Sequence, residues 1–239
     1  MATPDNLRRQ LQSLVGHLVE IGLSSDQNFA IKRDLGEGRC EVTFDGAEHL
    51  AVALKDQSYS EAYEVLRAER AYNVLMPDGA MIQVTYLFKG KNIERHRLAF
   101  LPSPSLLEFQ NNSEIYLEDA IYADVVGKGV VPFPIRFDFD CRDDVYQELH
   151  HPKSHLSLGQ YQNCRIPVTA ALTPAYFFDF VLRHFYHTAF RKYADGLPKF
   201  DDFFEISASA LEHSVVHVST PRRAADVARV PQQENKRKE

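Results

Sequence analysis

The chain has no tryptophan and only three cysteines, Cys40, Cys141 and Cys164, which stand far apart with no Cys-x-x-Cys pair. That spacing speaks against a zinc ribbon and a disulfide framework, and it fits a reducing compartment, so the expected location is the cytoplasm. No run of about 18 apolar residues exists, so no membrane span is expected. The stretch from Leu7 to Leu23 is interrupted by Arg8, Arg9, Gln10, Gln12, His17 and Glu20 and does not read as a signal peptide. No repeat is visible. Ser154 and Ser157 lack the flanking glycines of a nucleophile elbow. Gly127-Lys128-Gly129 is too short for a phosphate loop.

What is present describes a protein with one substantial core. At 239 residues, a single α+β domain over residues 1–218 is the expectation. The 16 phenylalanines and 11 tyrosines supply the packing bulk that tryptophan does not. The net charge of −6 is unevenly spread. Residues 219–239 carry six Lys or Arg against three acids, so this segment is +3 and the remainder is −9. The tail is expected to be disordered. A −9 body is a poor general binder of nucleic acid, which leaves only a local cationic cleft for such a role.

Periodicity gives the elements. Thr3-Pro4 opens a helix carrying Leu7, Leu11, Leu14, Val15 and Leu18, with Gly22 as its stop. Strands are expected at 29–32, 39–44 and 50–54, then a helix over 60–75. Residues 80–88 and 93–101 form a hairpin around Lys89-Gly90-Lys91-Asn92. Residues 105–130 read as irregular, with a short helix near 116–122. Strands follow at 134–140 and 155–158. Thr173-Pro174 opens a second helix running to about Tyr193, apolar nearly all round and so expected to be buried. Residues 203–218 read as either strand or helix. The resulting fold is an antiparallel sheet with one face covered by helices, including the buried C-terminal one.

The other face carries the chemistry. In 134–140, Ile135, Phe137 and Phe139 alternate with Arg136, Asp138 and Asp140, so one side of the strand is apolar and the other charged. His150, His151 and His155 follow closely. If the strands share one sheet, Gln83, Arg97, Arg136, Asp138, Asp140, His155 and Ser157 converge on its open face.

The ordered series Tyr72-Asn73, Asp78-Gly79, Gln83-Val-Thr-Tyr86, His96-Arg97-Leu98 and Leu101-Pro-Ser-Pro104 continues with Pro134-Ile-Arg-Phe-Asp138, His151-Pro152, Ser154-His155-Leu156, Gly159, Cys164-Arg-Ile-Pro167, Phe180, Leu182-Arg183 and Phe185-Tyr186. Over residues 55–190 it resembles a bacterial family, the domain of unknown function 2290. The resemblance implies no activity, but it marks Arg136, Asp138, His151, His155 and Arg165 as motif positions. The Arg-x-Asp, His-Pro and His strings are also similar to those of small bacterial toxins of toxin–antitoxin pairs.

Three readings of the charged face stand side by side. The first is a metal-independent phosphodiester site, with His155 as base, His151 as acid, Asp138 orienting a histidine, and Arg136 clamping phosphate. Arg165, Arg97, Gln83 and Ser157 would then contact substrate. The second is a divalent-metal site built from Asp138, Asp140, His151 and His155. The third is a structural ion network in which Arg136 pairs with Asp138 or Asp140. The functional expectation is a nuclease-like effector of a toxin–antitoxin or phage-defence system acting on RNA or DNA without a cofactor. The alternative is a non-catalytic accessory subunit whose groove holds a protein partner encoded nearby. Lesser candidates are Arg183 with His187, Asp201-Asp202 with Glu205, and Cys164 beside Arg165.

Overall fold

The computed structural model describes residues 1–51, 57–105 and 132–220. The expected helix near 116–122, the Gly127-Lys128-Gly129 segment, the tail from 221 onward and most of the expected 50–54 strand lie outside these residues.

Helix α1 (Pro4–Glu20) starts where Thr3 accepts a hydrogen bond from the Asn6 amide, with Pro4 in the first turn. It buries Leu7, Leu11, Leu14, Val15 and Leu18 on one stripe and ends at Gly22, whose φ is 75°. Strands β2 (Ile31–Gly36) and β3 (Arg39–Thr43) form a hairpin. Residues Ala47–Ala51 form a 3-10 turn, which takes in the first two residues of the expected 50–54 strand. Helix α2 (Tyr59–Ala68) is fixed by a capping box between Ser58 and Glu61.

The helix expected over 60–75 is cut short at Ala68. Arg70 adopts φ 51°, and β4 (Val74–Leu75) pairs with β5 (Met81–Lys89) on one side and β1 (Asp26–Gln27) on the other. The chain is held there by Arg70 on the Asp26 carboxylate and by the Asn28 amide, which donates to the Arg70 and Tyr72 carbonyls. Tertiary pairing outweighs the local helical pattern.

The hairpin of β5 and β6 (Asn92–Leu101) is the centre of a nine-stranded sheet. It continues antiparallel through β7 (Ile135–Asp140), β8 (Ser154–Leu158) and β9 (Ile166–Pro167), while β3 pairs along the other edge of β5. Helix α3 (Pro174–Phe185) opens on Thr173, whose hydroxyl accepts from the Tyr176 amide. It breaks at Tyr186 (φ −131°, ψ 50°) before α4 (His187–Tyr193). The expected single helix is therefore two, and it is not apolar all round: Phe177, Phe178, Val181 and Leu182 are buried while Arg183 and His184 are exposed. The segment left open at 203–218 holds a short helix α5 (Ala210–Ser214), and Ile206 and Val218 bridge Ala170 and Val168.

Two apolar clusters lie on opposite faces of the sheet. The larger packs α1 and α3 against Val42, Val84, Tyr86, Leu98, Phe137 and Leu156. The smaller packs α2, through Ala62, Tyr63 and Leu66, against Phe44, Met81, Ala99 and Leu101. Because α2 covers only one end of its face, the rest of that face carries polar side chains and forms the floor of a cavity. Among the described residues no helix is long and apolar enough to cross a membrane.

The larger core contains a histidine that makes the fold pH-dependent. His96 is buried; its Nε2 accepts from the Leu172 amide at 3.1 Å and its Nδ1 has no hydrogen-bond partner. Burial pushes its pKa down to about 4, against the opposing pull of Asp138. The unfolded chain therefore binds a proton that the folded chain refuses between the ordinary value of 6.5 and about 4. Stability is full above this window and falls as pH drops through it, by about 3 kcal/mol. Urea unfolding at a series of pH values measures this loss. His96→Gln, which keeps an acceptor for Leu172 and does not titrate, flattens most of the slope.

Candidate functional site: a cationic cleft on the open sheet face

The antiparallel register aligns the polar residues in three rows. The first runs Glu41, Leu87, Arg95 and Asp140 across β3, β5, β6 and β7. The second runs Thr85, Arg97, Asp138 and His155 across β5 to β8. The third runs Gln83, Ala99, Arg136 and Ser157. Cross-strand neighbours on one face stand about 5 Å apart, so the rows form one continuous patch. It floors a cavity of about 620 Å³ that His151 and Arg165 also line. Of the residues expected on this face, Arg97, Arg136, Asp138, Asp140, His155 and Ser157 line this space, and His151 and Arg165 join them.

Gln83 is the exception. It lies on the same face but under α2, where its amide donates to the Ala71 carbonyl at 2.6 Å. Burial beneath the smaller core removes it from the cleft.

Asp138 is the electrostatic centre. Its two oxygens face Arg97 Nε at 3.3 Å and Arg136 Nε at 3.6 Å. Burial opposes its ionisation, but the Arg136 and Arg97 guanidinium groups outweigh that and hold its pKa below the usual carboxylate value. The 3.6 Å separation is too long for a hydrogen bond, and Arg136 Nε is buried with no hydrogen-bond partner. Burial also lowers the Arg136 pKa, although a guanidinium stays charged at any working pH. Asp140 is instead gripped by Arg142, at 2.7 Å and 3.0 Å.

Asp138 is expected to orient a histidine; at His155 it is a backbone carbonyl that meets the ring nitrogen. The ring Nδ1 lies 2.9 Å from the Pro152 carbonyl. A carbonyl only accepts, so Nδ1 donates and the neutral ring keeps its lone pair on Nε2. Burial lowers the His155 pKa below the ordinary histidine value despite the facing Asp138. Burial thus favours the neutral ring, and the carbonyl of the His-Pro turn sets its tautomer. His151 touches it edge to face, ring centres 5.0 Å apart, and burial together with Arg165 lowers its pKa as well.

Of the lesser candidates, Cys164 lines the cleft beside Arg165, and the others fall elsewhere. Arg183 binds Asp179 at 2.9 Å and lies over the Phe190 ring, while His187 begins a different helix. Asp202 accepts from Asn6 and Gln10. His150 is exposed. Among the described residues no group of three or more His, Cys, Asp or Glu side chains is placed to hold a metal ion. In the expected metal set, both carboxylates are instead engaged by arginines.

Several lining residues were not picked out from sequence. Arg95 shares the alternation that exposed Arg97 and was legible from it. Glu41 reaches the cleft only because β3 pairs with β5, a non-local fact; burial raises its pKa. Arg142 and Tyr161 sit in loops with no periodic signal. The described lining holds five arginines against three carboxylates. An acidic chain of net charge −6 thus concentrates positive charge in one concave place, which focuses its field on anions.

A family model described as "Uncharacterized conserved protein (DUF2290)" matches residues 23–220. No curated protein and no solved structure matches the chain.

Proposed function

We propose that this chain, which belongs to the DUF2290 family, is a nuclease-like protein that cleaves RNA in the arginine-lined cleft without a metal. The observation that carries this reading is His155, whose Nδ1 faces the Pro152 carbonyl and whose Nε2 is left to accept a proton, in a cleft lined by five arginines against three carboxylates. Arg136 and Arg165 both line the cleft, and their guanidinium groups would hold the non-bridging oxygens of a phosphodiester. Ser157, beside Arg136 in the third row, is placed to donate a further hydrogen bond.

His155 Nε2 takes the proton of a ribose 2′-hydroxyl. The freed oxygen attacks phosphorus, the bond to the 5′-oxygen breaks, and a 2′,3′-cyclic phosphate forms. In-line displacement puts the entering and leaving oxygens on opposite sides of phosphorus. The touching rings of His151 and His155 stand together, so His151 is reassigned from acid to relay. It passes the proton from His155 to solvent, and water protonates the leaving oxygen. The requirement for a 2′-hydroxyl narrows the substrate to RNA. An effector role in toxin–antitoxin or phage-defence systems, in the cytoplasm, is the setting such an activity suits; the likeness to small toxins is the ground for it.

One observation favours a second reading. Asp138 already neutralises part of Arg97 and Arg136, as in a structural network, so the groove would bind an anionic partner without cleaving it. Labelled single-stranded RNA incubated with the protein in EDTA separates the two. Cleavage to cyclic-phosphate ends is expected, with roughly a 100-fold loss in His155→Gln and none of a matched DNA. Binding without cleavage favours the second reading, and cleavage unchanged in His155→Gln overturns the first.

A further inference from the structure

Strand β8 leads from the cleft to an aromatic rim. His155 and Ser157 share one face of the strand, and Gly159, the residue after its end, lies about 13 Å beyond His155 at the usual rise per residue. Gly159 has φ +63° and donates to the Pro134 carbonyl at 2.7 Å, closing the end of β7 and β8. A side chain there would meet the Tyr161 ring at 3.5 Å and the Phe133 side chain at 3.8 Å. Two aromatic residues therefore flank one glycine, and both face water: Tyr161 is 80% exposed and Phe133 45%. Tyr161 also lines the cleft, next in the chain to Gln162 and shortly before Arg165. The loop that carries it is tied down where the Gln160 amide donates to the Gln57 carbonyl at 2.9 Å.

The two rings stand near one another at the edge of a cleft rich in arginine, so an anionic ligand with flat apolar faces would suit both. Arginines hold a phosphate in the second and third rows, and a few nucleotides along the same strand the backbone reaches the aromatic rim. A base offers a π-face to any such ring only when it is not paired and stacked in a duplex. We infer that Tyr161, with Phe133 beside it, is a base-stacking platform that makes the cleft selective for single-stranded RNA.

This rests on the phosphodiester reading of the cleft, and the test keeps the two apart. The probe is a short fluorescent 2′-O-methyl oligoribonucleotide, which cannot be cleaved, compared with an abasic strand of equal length and with its duplex. The base-bearing single strand is expected to bind about 5- to 100-fold tighter than the abasic strand. Tyr161→Ala removes that difference and leaves abasic binding unchanged, while Tyr161→Phe keeps it. If the abasic strand or the duplex binds as well as the single strand, or if Tyr161→Ala leaves the ratio intact, the stacking platform is refuted alone. If none of the three probes binds the unaltered protein, the phosphodiester reading falls with it.

Discussion

Replacing Phe177 by alanine lowers the unfolding free energy by about 3–5 kcal/mol. Phe177 is fully buried on α3, and its ring meets the edge or face of Phe137 at 6.1 Å and Phe178 at 6.4 Å. It is the point where the helix layer is pinned to the centre of β7. Truncation removes a large apolar surface from the core and leaves a hole that rigid neighbours on the sheet cannot fill. Phe180, which the sequence pattern presents as an equally central residue, is only partly buried, although its ring lies 5.2 Å from that of Phe137. Phe180→Ala therefore costs less, about 1–2 kcal/mol. Urea denaturation of the two variants side by side checks both the size and the order. An equal loss at the two positions would mean that α3 is rotated about its axis.

The same pair of residues shows what was legible in the sequence. The helix start at Thr173-Pro174 is a local signal with a local cause, and it appears where expected. Which face of that helix is buried depends on the sheet, and an aromatic-rich stretch such as Phe177-Phe178-Asp179-Phe180 does not mark its own outward side. The alternation in β7 and in the β5–β6 hairpin is stronger, because a strand divides its residues between two faces without reference to anything else. Hence the alternation suffices to put Arg97, Arg136, Asp138 and His155 on one face, where the register has them.

What the alternation does not carry is which part of that face is covered. Gln83 and Arg136 belong to the same row, yet one is roofed by α2 and the other lines the cleft. The position of α2 over the sheet follows from Phe44, Met81 and Leu101, which are distant in sequence. Glu41 was missed for the same reason. Which group meets a histidine ring is likewise not carried by the alternation, although an ionised aspartate opposite His155 suggests itself. Here the Pro152 carbonyl, three residues away, reaches the ring first, and Asp138 is taken by two guanidinium groups.

That competition sets the outcome at Asp138. Asp138→Ala is expected to destabilise the fold by about 3 kcal/mol or more, through the arginines it strands rather than the carboxylate it removes. Without it, Arg97 and Arg136 face each other across neighbouring strands with no anion between them. Arg136 is the more sequestered of the two, with 24% of its side chain exposed against 37% for Arg97, so solvent screens the second charge more. The loss is therefore recoverable from the Arg136 side: Arg136→Met in the Asp138→Ala background restores about half or more of it, and Arg97→Met restores less. Unfolding across the double-mutant cycle measures both. The pH dependence has a fixed sign as well. Because the arginines hold the Asp138 pKa below its ordinary value of 3.8, its contribution is complete above that pH and is lost as pH falls through the lower folded value. The acid limb of the stability curve should therefore flatten below pH 4 in Asp138→Ala. The loss between pH 6.5 and 4 that His96 causes should persist. A mutant that keeps the full acid limb would show that the two arginines never depended on this carboxylate.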